Sequence, residues 1–542
     1  MQATSFLPKH IRLILAISTV YVFSWLAHYG QSTLGLYLNG DQLRTVSVAL
    51  SQPGDETPTL YQWFLSILAL FTDTEEGLIQ LARLANAAAL IITTLLCAQT
   101  AGHYWKSNRS ACAAAILIGL NPVIVFYLGQ LTSTSLAILC FAICIWRLIP
   151  WLKHAQIGDS LIIGTALSIG TLFETTLLPL ALIWPVAAVL YPKRNKLTQL
   201  AFAITAPTIT FGLVTVSIFQ LQNPLTLHTA DLWPSIYVFL SNREYGNSMN
   251  YELHSKLYLL LIINPIHWGL IFTLSIGGLY CRIKDGHRGY TVISFLMFTL
   301  VFWVSLTLLG GTSQNRLTIL PLLAILAAGC FSSLPRIWKH AGTSTRRKLC
   351  IGATALALLT YTGSIIDGPT TSDKVHSYTF MAAANIELGN THEAKTWAKK
   401  ALHLDAQRKD MYNVLTRAEF EEWALVSKPR PLAKEVIEAY LKNLEAGDTN
   451  DPTIASIKGF YLWKLKDQTA AIHIWKAHTA TSALAQLGIL WTQSESDVAN
   501  TLAPLGETPY QKILITAQRI NRSTINYTED ERLIDNLFAE AY

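Results

Sequence analysis

Long apolar runs separated by short polar connections fill the first two thirds of the chain. A helix needs about 20 apolar residues to cross the hydrocarbon of a bilayer. Such runs recur near residues 11–29, 78–101, 111–128, 131–152, 160–174, 175–191, 198–220, 257–281, 290–310, 317–334 and 349–366. The fifth and sixth are short and read equally well as one bent element. Beyond about residue 370 charged residues become dense and apolar positions fall at helical spacing instead. The pattern predicts an all-α protein in two parts. Residues 1–370 form a multispanning membrane domain of about eleven helices with large loops at 30–77 and 221–256, and residues 371–542 form a soluble domain of helical repeats.

Basic residues orient the spans. They gather at Lys9 and Arg12, Lys106 and Arg109, Arg147 and Lys153, Lys193, Arg194 and Lys196, Arg282, Lys284 and Arg288, and then Arg336, Lys339, Arg346, Arg347 and Lys348. These clusters occupy alternate connections, which the positive-inside rule assigns to the cytoplasm. The loops 30–77 and 221–256 carry few Lys or Arg and are expected to face outward. Eleven spans that start inside place everything after Asp367 outside, on the periplasmic or extracellular side of a bacterial inner membrane.

Composition supports this reading. Of 542 residues 51% are hydrophobic and only 14% charged, a balance suited to a membrane class. The net charge of +6 points to no nucleic acid, because most basic residues before residue 350 serve as topology signals. The seven cysteines lie in or beside apolar spans and imply neither a disulfide framework nor a thiol metal site. Cys140 and Cys144 share a helix face but have no neighbouring His or acid, so they read as packing residues. The first apolar run lacks a small-x-small cleavage site and reads as an uncleaved helix.

In the tail, Val375 to Arg408 carries Tyr378 and Met381 on a first helix, Ala382 at a small position, Gly389 at a turn, then Ala394, Trp397 and Ala401. This resembles the tetratricopeptide pattern, in which small residues let paired helices approach and bulky ones fill the next groove. A looser copy starts at Lys409, with Tyr412, Leu415 and Ala433 around the insertion SKPRP. A third surrounds GFYLWKLKDQTAAIHIWKAHT, with Ala471 and Trp475. Stacked hairpins present a concave face, so the tail is expected to bind a protein partner or protein acceptor rather than to perform chemistry.

Chemistry is expected in the membrane domain. Asp41 follows the first span where the membrane ends. After it come PTLYQW, ARLANA with Arg83 and Asn86, NPVIVFYLGQ from Asn121 to Gln130, FLSNREYGNSMN in the second large loop, INPIHW at the head of the eighth span, and NRLTILPLLAILAAG from Asn315 to Gly329. In their order these segments resemble the GT-C superfamily of polyprenyl-phosphate-sugar glycosyltransferases, in the protein O-mannosyltransferase and lipid A aminoarabinose transferase branch, over most of residues 1 to 340. The resemblance implies that Asp41 is a general base for inverting transfer of a sugar from a polyprenyl phosphate to a lipid, glycan or protein acceptor. It implies Arg83, Arg316, Arg44 and Arg243 as ligands of the donor phosphate, with Glu56, Tyr61, Asn86, Tyr127, Tyr245 and Asn247 around the substrate. Arg83 lies in an apolar span, where a charge is costly unless paired; Arg316 reads alternatively as a cation snorkelling from a helix end.

The sequence departs from that family at Gln42, where relatives carry a second acid, at Thr57 and Thr134, and at Glu174, where a cation is usual. Without clustered carboxylates no divalent metal is expected, and no cofactor beyond the lipid-linked donor. His228, Asp231 and His267 read as structural or interfacial residues. Two other readings stay open: a non-catalytic scaffold of the same fold that presents the repeats to a partner, and an enzyme like the O-antigen ligases and polymerases.

Overall fold

The computed structural model describes residues 8–30, 32, 60–72, 74–154, 156–181, 239, 266–284, 290–308, 313–340, 342–366, 371–424, 433–446, 451–478, 482, 485, 488 and 489. Every regular element among them is helical. The chain divides into two compact units, residues 1–370 and 371–542.

The first unit contains α1 (Lys9–Gly30), α2 (Leu60–Ala69), α3 (Glu75–Trp105), α4 (Asn108–Gly119), α5 (Pro122–Gly129), α6 (Thr134–His154), α7 (Ile157–Phe173), α8 (Trp268–Lys284) and α9 (Tyr290–Leu308). It continues through a helical turn (Ser313–Arg316) and a 3-10 turn (Leu317–Ile319) into α10 (Leu320–His340) and α11 (Thr343–Ile366). Among the described residues four helices are long and apolar enough to cross a membrane, and α4 with α5 makes a fifth if that bent pair is one span. Leu13, Val20, Ile351 and Leu358 remain exposed on the outside of the unit, as a lipid-facing surface requires.

Local sequence signals set the helix limits. Thr74 caps α3 by accepting a hydrogen bond from the Gly77 amide, and Glu75 and Glu76 complement the dipole in its first turn. The helix ends on Lys106 in the left-handed conformation, φ 53°. The expected third span, 111–128, is not continuous: α4 and α5 meet at a bend of 42°. The cause is Asn121, whose side chain accepts hydrogen bonds from the Val123 and Ile124 amides, followed by Pro122 at the first helical position. Asn121 also donates to the Ile266 carbonyl at 3.3 Å, which ties the break to the head of α8. The chain breaks again at Glu174, which is extended between α7 and a 3-10 turn, Thr175–Leu177.

Glycines permit the tightest helix contacts. Between α8 and α10 a Cβ on Gly278 would lie 1.9 Å from the Leu326 carbonyl oxygen, and one on Gly277 would lie 2.8 Å from Cys330 Sγ. Between α3 and α10 a Cβ on Gly329 would meet the Trp105 ring at 2.1 Å, and the Trp105 indole donates to the Ile325 carbonyl at 2.8 Å. In lipid no hydrophobic force draws helices together, so close backbone approach and such hydrogen bonds must do it.

The second unit consists of α12 (Thr371–Glu387), α13 (Thr391–Leu404), α14 (Lys409–Ala424), α15 (Lys434–Ala446), α16 (Pro452–Lys464) and α17 (Gln468–His478). Consecutive helices pack, and α14 also touches α12 and α16, so the helices form a stack of three hairpins. Gly389 ends α12 at φ +74°, where Gly389 N donates to Ile386 O and Asn390 N to Asn385 O, a paired C-terminal cap. The same cap recurs after α16 with Lys466 at φ 67°, Lys466 N donating to Trp463 O and Asp467 N to Leu462 O. With these two turns aligned, Ala382 falls in register with Gly459 and Ala398 with Trp475. Ala382 and Ala398 share one buried cluster, whereas a Cβ on Gly459 would lie 2.3 Å from Trp475 Nε1. The loss of one methyl makes room for an indole.

Candidate functional site

Polar side chains in the first unit collect where the ends of α1, α5 and α7 meet the beginnings of α2, α3, α6, α8 and α10. Arg83, on the third turn of α3, is 2% exposed; its Nε donates to the Gly129 carbonyl at 3.0 Å and its guanidinium lies 5.2 Å from the centre of the Tyr29 ring. Gly129 admits this arrangement because a Cβ there would meet the Tyr29 ring at 2.8 Å. One turn along α3, Asn86 Nδ2 donates to the Gln130 carbonyl at 3.4 Å, and the Tyr61 hydroxyl lies beside the Asn86 side chain. Tyr127 is buried in α5 with its ring edge-on to Phe126.

On the other side of the cluster three consecutive residues are tied to three different elements. Gln314 Nε2 donates to Thr134 Oγ1, at the start of α6, at 2.6 Å. Asn315 Nδ2 donates to both carboxylate oxygens of Glu174, at 2.8 and 2.7 Å. The Arg316 guanidinium lies 4.7 Å from the centre of the Trp268 ring, at the start of α8. Glu174 Oε1 also accepts from the Thr176 amide and hydroxyl, at 3.3 and 3.1 Å. Within this half Ser133, next to Thr134, donates to the carbonyl of Phe173, next to Glu174, at 2.8 Å.

Beside Trp268 the environment becomes apolar. The Trp268 indole donates to the Phe239 carbonyl at 2.8 Å, and the Phe239 ring packs on Trp268, Phe272 and Trp303. Phe239, Phe272 and Trp303 line a cavity of about 230 Å³ between α8, α9 and α10. Other lining residues, Ile276, Leu296 and Leu300, are exposed on the outside of the bundle, so the cavity opens toward the lipid.

The opposite helix ends hold the cations of the sequence clusters. Arg147 pairs with Asp159 at 3.2 Å, Arg282 covers the Tyr104 ring at 4.6 Å, and Arg346 donates to the Trp338 carbonyl at 3.1 Å. The buried polar residues and the basic clusters therefore sit at different ends of the helices.

Of the residues singled out from sequence, Arg83, Asn86, Tyr61, Tyr127 and Arg316 lie in or beside this cluster. Arg316 does not snorkel: it is 0% exposed. His267 Nδ1 accepts from the Leu270 amide at 3.1 Å and so caps α8. Asp41, Arg44, Glu56, Arg243, Tyr245 and Asn247 lie outside the described residues, as do His228 and Asp231. Sequence reading missed Gln314 and the Asn315–Glu174 pairing. No group of three or more His, Cys, Asp or Glu able to hold a metal ion occurs among the described residues.

No protein-family model and no curated protein matches the chain. A crystal structure of ArnT from Cupriavidus metallidurans bound to undecaprenyl phosphate is similar with a TM-score of 0.40 and 14% sequence identity, over 94% of this chain and 88% of that one.

Proposed function

We propose that the chain is a membrane glycosyltransferase that moves a sugar from a polyprenyl-phosphate donor to a lipid, glycan or protein acceptor at the periplasmic face, with inversion. The observation that carries this reading is the presence of two buried guanidiniums, Arg83 and Arg316, at one end of an apolar bundle. Burying a cation is costly, and guanidinium geometry suits a phosphate better than any other common group. The apolar cavity beside Trp268 would take part of the prenyl chain while the phosphate reaches toward Arg316. In this reading Asp41 removes the proton from the acceptor hydroxyl as its oxygen attacks the anomeric carbon. The bond from that carbon to the phosphate oxygen breaks, and the departing polyprenyl phosphate takes the electron pair, its charge offset by Arg83 and Arg316. The repeats of the second unit would bring the acceptor or a partner.

The test supplies membranes that contain wild-type, Asp41→Asn, Arg83→Ala or Arg316→Ala protein, at matched amounts, with radiolabelled polyprenyl-phosphate sugars. The expected outcome is transfer by the wild type and a loss of about a hundredfold or more in each variant, the scale of removing one charge-stabilising group. Transfer undiminished in Asp41→Asn would remove that residue from the mechanism. Wild-type protein that binds no polyprenyl phosphate and transfers no sugar would refute the reading in favour of a scaffold.

A further inference from the structure

We infer that Glu174 is a positioning residue for Arg316, acting through Asn315. This rests on the reading of Arg316 as a ligand of the donor phosphate. The turn Ser313–Arg316 and the 3-10 turn after it separate Arg316 from the regular hydrogen bonding of α10, so its direction depends on what holds the turn. Two side-chain clasps do so: Gln314 on Thr134 and Asn315 on Glu174. The second is the more demanding. Asn315 Nδ2 bridges both oxygens of a carboxylate that is itself 7% exposed and held by the Thr176 amide and hydroxyl. Thr176 is in turn anchored, its carbonyl accepting from Ser305 on α9 at 2.6 Å. A buried carboxylate with this many donors is a rigid fixture.

The consequence is geometric. With Asn315 fixed to the break after α7, the side chain of the next residue is directed onto Trp268 of α8, at the boundary between the polar cluster and the apolar cavity. Glu174 thus acts at a distance as an anchor. This accounts for a carboxylate at a place where direct contact with a donor phosphate would be repulsive.

The experiment measures the affinity of the purified full chain in detergent for farnesyl phosphate, with farnesol as the probe lacking phosphate. The proteins are wild type, Arg316→Ala, Asn315→Ala, Glu174→Ala, Glu174→Gln and the double variant Glu174→Ala/Arg316→Ala. Loss of a hydrogen-bonded charge should weaken farnesyl phosphate binding by about tenfold or more in Arg316→Ala. Glu174→Ala and Asn315→Ala should lose a similar factor, with farnesol affinity unchanged in all. The double variant should bind no worse than Arg316→Ala alone, because both changes remove one interaction. Glu174→Gln keeps an oxygen for Asn315 and should recover most of the affinity. Asn315→Ala supplies the test if Glu174→Ala does not fold.

Three results would overturn the inference while leaving the proposed function intact: wild-type affinity in both Glu174→Ala and Asn315→Ala when Arg316→Ala is weakened, additive losses in the double variant, or Glu174→Gln as weak as Glu174→Ala. Wild-type affinity in Arg316→Ala would remove both the phosphate reading and the inference.

Discussion

Substituting Gly278 by Ala should loosen the whole polar end of the bundle, although Gly278 lies well away from it. The new methyl would sit 1.9 Å from the Leu326 carbonyl oxygen and 2.8 Å from its carbon. Both atoms are backbone, so no rotamer change relieves the clash. Restoring a contact of about 3.2 Å requires α8 and α10 to part by about 1.3 Å, and forcing an extra methyl into a packed interface costs roughly 1–3 kcal/mol. The two helices run parallel, so the separation extends to their heads, where Trp268 of α8 meets Arg316 ahead of α10. Misplacing a positioned group by about 1 Å costs up to a hundredfold in function. Gly352→Ala on α11 is the control, since a Cβ there meets nothing within 4 Å. Thermal unfolding in detergent should show Gly278→Ala melting several degrees below Gly352→Ala, and farnesyl phosphate binding should weaken by about tenfold only in the former. Equal melting and equal binding would mean that α8 and α10 do not approach at Gly278, and the close-packing argument would fail.

Two further predictions concern the second unit. Lys466 holds a left-handed conformation, φ 67°, where an L side chain costs roughly 1–2 kcal/mol; Lys466→Gly should therefore slow hydrogen exchange across α16 and α17 in the full chain by about fivefold or more, and unchanged exchange would rule out the strain. Glu419 is held above the ordinary carboxylate range, first by burial and then by Glu422, against the opposing pull of Lys395 and Lys399. Its folded state binds the proton more tightly than the unfolded chain. The stability it contributes is therefore complete below its ordinary value of 4.5 and is lost as pH rises through its folded value. Glu419→Gln should accordingly unfold at higher temperature than wild type at neutral pH and match it at pH 3, and a constant difference across that range would contradict the assignment.

How much was legible depended on the range of each interaction. Apolar length located α1, α3, α6 and α10, because crossing a bilayer is a property of one segment. The hairpin at Val375–Arg408 was legible for the same reason: Gly389 and the small residues around it act within a few turns of chain. The break at Asn121 was visible in principle, as Asn before Pro is a helix start, but counting apolar residues overrides that signal. Glu174 stood out only as an unexpected charge, since its meaning lies in Asn315, far along the chain. Arg316 could not be separated from a snorkelling cation until Trp268 was seen against it. Contacts such as Gly329 with Trp105 join distant helices and leave no local trace.

The exchange of small for large between the first and third hairpins lies inside each hairpin, between its two helices: Ala382 of α12 shares a cluster with Ala398 of α13, and Gly459 of α16 meets Trp475 of α17. An indole at the place of Ala398 would strike the methyl of Ala382, and an alanine at the place of Trp475 would leave a hole beside Gly459. Helices that occupy the same place in different hairpins are thus not interchangeable parts. A single helix moved between hairpins would pack badly against its mate, whereas a whole hairpin carries both halves of its match with it, so the hairpin and not the helix is the unit that can be exchanged.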